Sequence, residues 1–274
     1  MFAADRSDFR YAPHVLPRNA LIGMVHVAAL PGTPHSRLRV DEIFRRAADE
    51  ARVLAKAGFD AMMIENMHDR PYVNGPHGPE TVALMTLVAL AVREAAPNLP
   101  LGVQILSLGH KESLAVALAA GAEFIRVENF VFAHVADEGL MPNATAPELL
   151  RYRKAIGAMH IKIFADIKKK HASHALTADL SIAQSAHAAE FFGADGVIVT
   201  GAFTGEAASE DDLAQVRAAT RLPVLVGSGV TPAQVRGLFK HADALIVGSS
   251  IKRGGVWSNP VDLARAKAIV RARR

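Results

Sequence analysis

The chain of 274 residues is half apolar, 21% charged and free of cysteine, with a formal net charge of +4. That length and apolar content exclude a disordered chain, and the missing thiols exclude disulfide frameworks, thiolate nucleophiles and zinc–thiolate sites. The excess charge belongs to the end of the chain. Arg265, Lys267, Arg271, Arg273 and Arg274 have no acid among them, and without them 26 basic residues face 27 acidic ones. Nucleic acid is therefore not expected as a partner.

Residues 1–19 contain no apolar run of the secretory kind and read as a short N-terminal extension of a cytoplasmic protein. From residue 20 onward, short β-branched runs alternate with longer amphipathic ones. In chain order they are strand Ala20–Val27, helix Asp41–Ala57, strand Ala61–Asn66, helix Pro79–Ala96, strand Leu101–Leu106 and helix Lys111–Ala120. Strand Phe124–Asn129, helix Ala146–Ile156, strand His160–Ile167 and helix Asp179–Phe192 follow. The last are strand Gly196–Gly201, helix Ser209–Ala219, strand Pro223–Gly229, helix Thr231–His241, strand Ala244–Ser249 and helix Val261–Arg274. The strands are mostly apolar, as parallel strands covered by helices should be. Gly58, Gly121, Gly157 and Gly193 stand where helices should end, and Thr231-Pro232 reads as a helix start. The most apolar helical stretch, Thr81–Val92, is too short to span a membrane.

Eight strand–helix units in one chain of this length predict an α/β fold, a single-domain (β/α)8 TIM barrel over residues 20–274. An open doubly wound sheet would place its ligand at one switch point, whereas here polar residues end nearly every strand. Two long connections, Met67–Gly78 and Phe130–Thr145, follow strands and so belong to the C-terminal face, where lids and substrate walls are built. The second contains His134, Asp137, Glu138 and Gly139.

Side chains on a barrel strand alternate between lumen and helix layer. In the fifth strand Ile161, Ile163, Ala165 and Ile167 suit the helix layer, which turns Lys162, Phe164, Asp166 and Lys168 inward. The same test turns Met24, His26, Met63, Glu65, Arg126 and Glu128 inward, with Gln104 as a further member. His26, Glu65, Glu128, Asp166 and Lys168 are thus the candidate catalytic residues at the mouth, with Arg126 one layer below. A self-neutralising network is the alternative for Arg126 and the acids. Barrel lumens are usually apolar, so this density of ionisable groups points to chemistry for Glu65 and Asp166. Lys168-Lys169-Lys170-His171 is basic enough to bind an anionic substrate, but a solvated loop face is the expected reading for Lys169 and Lys170.

Val226-Gly227-Ser228-Gly229 and Val247-Gly248-Ser249-Ser250 end the seventh and eighth strands. Glycine lets backbone N–H groups approach an anion there, and Ser228, Ser249 and Ser250 add hydroxyls, so a phosphate site is expected. A helix starting near Thr231 would add its positive end. Thr200-Gly201-Ala202-Phe203-Thr204-Gly205 is a candidate extension of the same cradle. No His-x-His follows the first strand, which counts against a binuclear metal hydrolase. No cofactor is expected; a single divalent metal on Glu65, Asp166 or His26 is the alternative.

Leu21-Ile22-Gly23-Met24-Val25-His26 with Ala29-Leu30-Pro31-Gly32 resembles the opening signature of the BtpA/SgcQ family. The resemblance continues through Met63-Ile64-Glu65-Asn66, Phe124-Ile125-Arg126-Val127, Phe164-Ala165-Asp166, Lys170-His171-Ala172 and Ile198-Val199-Thr200-Gly201. It closes with Val226–Val230, Ile246–Lys252 and Asn259-Pro260-Val261-Asp262, covering residues 20–270. It implies a barrel, with one branch of the family named for photosystem I accumulation and another found among sugar-uptake and sugar-phosphate genes. It transfers no catalytic residue. The chain departs from the family pattern at Gln104–Gly109, where Asn-Val-Leu-Arg-Asn-Asp is usual, and at Ile167–Lys170, where Val-His-Val-Lys is usual.

The expected function is an enzyme acting on a small phosphorylated metabolite, a sugar phosphate foremost, by isomerase, lyase or glycosyl-cleavage chemistry. Glu65 or Asp166 would be the base, His26 the acid or orienter, and Lys168 the oxyanion stabiliser. Lys162 or Lys168 as a Schiff-base nucleophile is a variant. The alternative is a non-catalytic assembly or regulatory factor with the barrel as scaffold. A homo-oligomer is compatible with either.

Overall fold

The computed structural model describes residues 15–201 and 208–273. Its eight barrel strands are β1 (Ala20–His26), β2 (Ala61–Glu65), β3 (Leu101–Gln104), β4 (Phe124–Val127), β5 (Lys162–Ile167), β6 (Gly196–Val199), β7 (Val224–Val226) and β8 (Ala244–Val247). All pair in parallel with their sequence neighbours, and β1 closes the ring on β8, with Ile22 opposite Ile246 on one side and Ala61 on the other.

The covering helices are α1 (Val40–Ala57), α2 (Pro79–Ala95), α3 (His110–Ala120), α4 (Ala146–Ala155), α5 (Ile182–Phe191), α6 (Glu210–Ala219), α7 (Val235–Leu238) and α8 (Leu263–Ala272). This is the single-domain (β/α)8 barrel. Gly58 and Gly121 end α1 and α3 in the left-handed conformation. A 3-10 turn occupies Ala175–Thr177, and α5 starts only at the capping box of Ser181 and Gln184. The seventh helix is a single turn. The Gln234 side chain folds back on the Thr231 N–H and hydroxyl, and Val235–Leu238 alone is α-helical. The expected long helix from Thr231 to His241, with its positive end at the anion loops, does not form.

Strand alternation separates two cores. Val25, Ile64, Val103, Ile125, Ile163 and Val197 pack outward against the helices. Ile22, Met24, Met63, Phe124, Phe164, Ile198, Leu225 and Ile246 fill the lumen. The Phe124 and Phe164 rings, on the paired strands β4 and β5, lie 5.4 Å apart in the lumen. Bulk there requires its absence next door: a Cβ on Gly102 would fall 2.1 Å from Phe124, and one on Gly196 2.7 Å from Phe164. Val15 and Leu16, the last part of the N-terminal extension, pack against this cluster.

The connection after β4 is more ordered than a loop. His134–Ala136 and Gly139–Met141 form a hairpin, and Ala172–Ser173 from beyond β5 adds a third antiparallel strand. The loop after β2 is tied down by Asn66, whose amide donates to Asp69 and accepts from Leu106 N–H, while Asp69 accepts from Leu30 N–H. These walls surround the C-terminal mouth.

Candidate functional site

A cavity of about 570 Å³ opens at the C-terminal ends of the strands. His26, Glu65, Gln104, Arg126 and Glu128 line it on the strand side, and Gly227–Thr231 and Gly248–Ser250 line it on the loop side.

His26 ends β1, deeply buried. Its Nδ1 lies 2.8 Å from the Trp257 carbonyl, which can only accept, so Nδ1 carries the proton and Nε2 keeps its lone pair. Burial, reinforced by Lys252, holds the imidazole well below its usual range, so the ring is neutral. The lone pair faces Glu65, whose Oε2 is 3.9 Å away, beyond hydrogen-bond reach. Burial pushes the Glu65 carboxyl up, against the pull of Arg126 and Lys170. A neutral imidazole and a reluctant carboxylate thus stand side by side, neither bound to a countercharge.

The wall from β4 and β5 is the opposite. The Arg126 guanidinium grips Asp166 with both prongs, Nε to Oδ2 at 2.9 Å and Nη2 to Oδ1 at 3.0 Å. Asp166 faces the lumen but is absorbed by this pair and does not line the main cavity. Burial raises its carboxyl and Arg126 opposes that rise. Lys169 Nζ lies 3.3 Å from Glu128 and 4.0 Å from Glu138. Burial works against ionising Glu128, but Lys169 and Arg126 outweigh it and hold the carboxyl below the usual range.

Lys168 departs from the expected place. β5 ends at Ile167, and Lys168 turns with φ +45°, so alternation stops one residue short. Its Nζ reaches toward the Thr177 carbonyl, in a small side cavity away from the mouth. Lys169 and Lys170, expected on a solvated face, line the main cavity instead. Burial, then Arg126, lowers the Lys170 amine. Lys162 starts β5 at the barrel floor, 3.4 Å from Asp195, which removes it as a mouth nucleophile.

The two glycine loops do different work. A Cβ on Gly227 would meet Ile198 at 2.6 Å and Thr200 at 3.0 Å, so that glycine serves packing. A Cβ on Gly248 would meet His26 and Met24 only at 3.5–3.6 Å, projecting into the space in front of the imidazole. Ser228 Oγ accepts from Gly201 N–H, and Thr200 Oγ1 accepts from Lys170 N–H. Thr200 and Gly201 therefore brace the wall; Ala202–Gly205 lie outside the described residues. Ser249 and Ser250 begin a short 3-10 turn. The Ser250 hydroxyl is buried with no hydrogen-bond partner, while Arg265 Nε donates to the Ser250 carbonyl at 2.8 Å.

Arg265, assigned by sequence to a basic tail, thus lines the cavity beside the anion loops. Trp257 was also missed. It is the only tryptophan, in a glycine-rich stretch after β8, and that position on the functional face was its one available signal. Its ring packs 4.9 Å from His68 and 4.8 Å from the Arg70 guanidinium. Among the described residues no three His, Asp or Glu side chains are grouped to hold a metal ion. No helix of the described residues is long and apolar enough to cross a membrane.

Comparison with known proteins shows the fold first. The chain matches (S)-3-O-geranylgeranylglyceryl phosphate synthase from Thermoplasma acidophilum, solved with sn-glycerol-1-phosphate, at TM-score 0.57 and 16% identity over 93% of both chains. KGPDC from Streptococcus mutans matches at TM-score 0.53 and 17% identity, over 94% of this chain and 97% of that one. Among relatives in sequence, an uncharacterised mitochondrial protein of Caenorhabditis elegans is 46% identical over 90% of each chain. The photosystem I biogenesis protein BtpA of Synechocystis is 33% identical over 93% of this chain and 88% of its own. The BtpA family model matches residues 17–274, and the chain belongs to the BtpA family.

Proposed function

We propose that this barrel is an enzyme acting on a small phosphorylated metabolite, a sugar phosphate foremost, by proton transfer next to a carbonyl or a related lyase or glycosyl-cleavage step. The observation that carries the reading is the buried, partnerless Ser250 hydroxyl, set beside Gly248, Ser249 and Arg265 on the cavity wall. A buried hydroxyl without a partner is costly unless a ligand supplies one. A phosphate oxygen accepts from it, and Arg265 supplies countercharge.

The phosphate end then lies beside β7 and β8, and the carbon skeleton extends over His26 and Glu65. His26 Nε2 takes a proton from carbon, and the Glu65 carboxyl gives one to oxygen or to a leaving group. Lys170, in place of Lys168, stabilises the developing oxyanion. Asp166 and Arg126 hold the wall and do not exchange protons with the substrate.

Thermal unfolding with inorganic phosphate, sulfate, ribose 5-phosphate and glucose 6-phosphate tests this. A ligand at ten times its Kd should add about 1.4 kcal/mol, or roughly 2–3 °C in Tm. Ser250→Ala with Arg265→Ala should remove most of that shift. No anion-dependent shift in the parent chain would end the reading. The scaffold alternative draws on the photosystem I biogenesis for which the Synechocystis relative is named. It requires that Glu65→Gln leave the cellular phenotype intact.

A further inference from the structure

One lumen side chain is unexplained by packing or by the proton chemistry. Gln104 ends β3, is 2% exposed and lines the cavity. Its Oε1 is fully buried and has no hydrogen-bond partner. In the barrel register Gln104 lies directly opposite Glu65 of β2, so the two stand in one lumen layer on adjacent strands. Neighbouring strands are about 4.8 Å apart, so a substrate group held at Gln104 is within reach of Glu65.

We infer that Gln104 is a specificity-determining residue that reads a hydroxyl on the substrate's carbon skeleton, making the preferred ligand a polyhydroxylated phosphate ester. This rests on the phosphate reading above and narrows it. An amide presents an acceptor on one end and donors on the other, and it can turn about its terminal torsion. A hydroxyl satisfies either end, whereas a C–H edge or an aromatic face satisfies neither. The rest of the lining supports a polyol: Met24, Met67 and Leu106 offer apolar surface to its C–H groups, and Glu65 and Glu128 offer acceptors. A ligand without a hydroxyl at this depth leaves the Gln104 amide buried and unpaired, which is the strongest form of rejection a pocket of this kind has.

A purely structural Gln104 and a substrate-reading one respond differently to Gln104→Met, which keeps volume and removes polarity. Replacing a partnerless buried amide by an apolar group of similar shape is neutral or stabilising, so the variant's Tm should equal or exceed the parent's. Isothermal titration then compares inorganic phosphate, glycerol 1-phosphate, ribose 5-phosphate, glucose 6-phosphate and phenyl phosphate. In the parent, at least one polyol phosphate should bind about 10- to 100-fold more tightly than phenyl phosphate. In Gln104→Met that ratio should collapse to within about threefold, with the inorganic phosphate Kd unchanged. Gln104→Asn, which keeps the amide but withdraws it, should give an intermediate ratio.

A parent that binds phenyl phosphate as tightly as the polyols overturns the inference, as does a methionine variant that keeps the preference. A methionine variant with a lowered Tm and equal loss for every ligand shows a structural residue and also overturns it. No binding of inorganic phosphate to the parent overturns the anion cradle itself, and this inference with it. Phosphate binding without a polyol preference overturns only the role of Gln104.

Discussion

The two walls of the barrel mouth both carry buried ionisable side chains and pair them in different ways. On β4 and β5, Arg126 and Asp166 close on each other with two short hydrogen bonds, and Lys169 sits between Glu128 and Glu138. On β1 and β2, His26 and Glu65 approach only to 3.9 Å. Both walls are buried, so desolvation penalises charge on both. Burial raises the carboxyls of Asp166 and Glu65 alike; the first wall sets a countercharge within hydrogen-bond reach, and the second does not. Close pairing separates a wall that holds shape from one that can exchange protons.

Breaking the saturated wall should have the largest effect. Arg126→Met leaves Asp166 buried without its partner and should cost about 3–5 kcal/mol in chemical denaturation. Arg126→Met with Asp166→Leu removes both charges and should recover most of that loss. A double variant as unstable as the single one would mean that the pair does more than neutralise itself.

The uncommitted wall should respond in activity before stability. His26→Gln should lower turnover of a bound sugar phosphate about a hundredfold or more, since it removes the proton acceptor. Glu65→Gln mimics the protonated carboxyl that burial already favours. Its midpoint in denaturant should stay level or rise while turnover falls. Loss of fold in Glu65→Gln would place Glu65 with Arg126 as a structural charge.

The pH dependence of stability sharpens the contrast by sign. His110 is buried at the start of α3, its Nε2 accepting from Glu128 N–H, and burial lowers it from 6.5 to about 4. The unfolded chain therefore binds protons at a higher pH than the fold does. Stability is fully present above about 6.5 and declines as the pH falls toward 4, by up to about 1.4 kcal/mol per pH unit. His26 is shifted in the same direction and adds to the decline. Glu65 acts oppositely, because its raised carboxyl penalises the fold at neutral pH and is relieved on acidification. Denaturation midpoints across this range should flatten in His110→Gln and steepen in Glu65→Gln.

The barrel was legible because strand alternation is a rigid rule inside a strand. Ile161, Ile163, Ala165 and Ile167 all join the helix-facing core, and Phe164 joins the lumen. The rule failed one residue later, where Lys168 leaves the strand with positive φ and Lys169 and Lys170 take over the mouth. The anion loops were legible as glycine–serine turns, but their division of labour was not. Gly227 answers to Ile198 and Gly248 to His26, and both neighbours lie far away in sequence. Arg265 and Trp257 were missed for the same reason. Each reaches the cavity from the chain after β8, which alternation does not govern. The hairpin at 134–141 pairs with a third strand at 172–173, a contact that local pattern cannot supply.

The smallest effect tests whether burial, and not distance, gives the saturated wall its weight. Lys111 on α3 and Glu148 on α4 approach to 2.9 Å, the same separation as Arg126 and Asp166, yet their side chains are 50% and 78% exposed. Neither charge has been taken out of water, so neither is stranded when its partner is removed. Lys111→Ala should move Tm by less than about 1 °C, and the small change should vanish in high salt. A loss as large as that of Arg126→Met would show that proximity alone stabilises these pairs. A negligible one leaves desolvation as the property that separates a structural ion pair from a decorative contact.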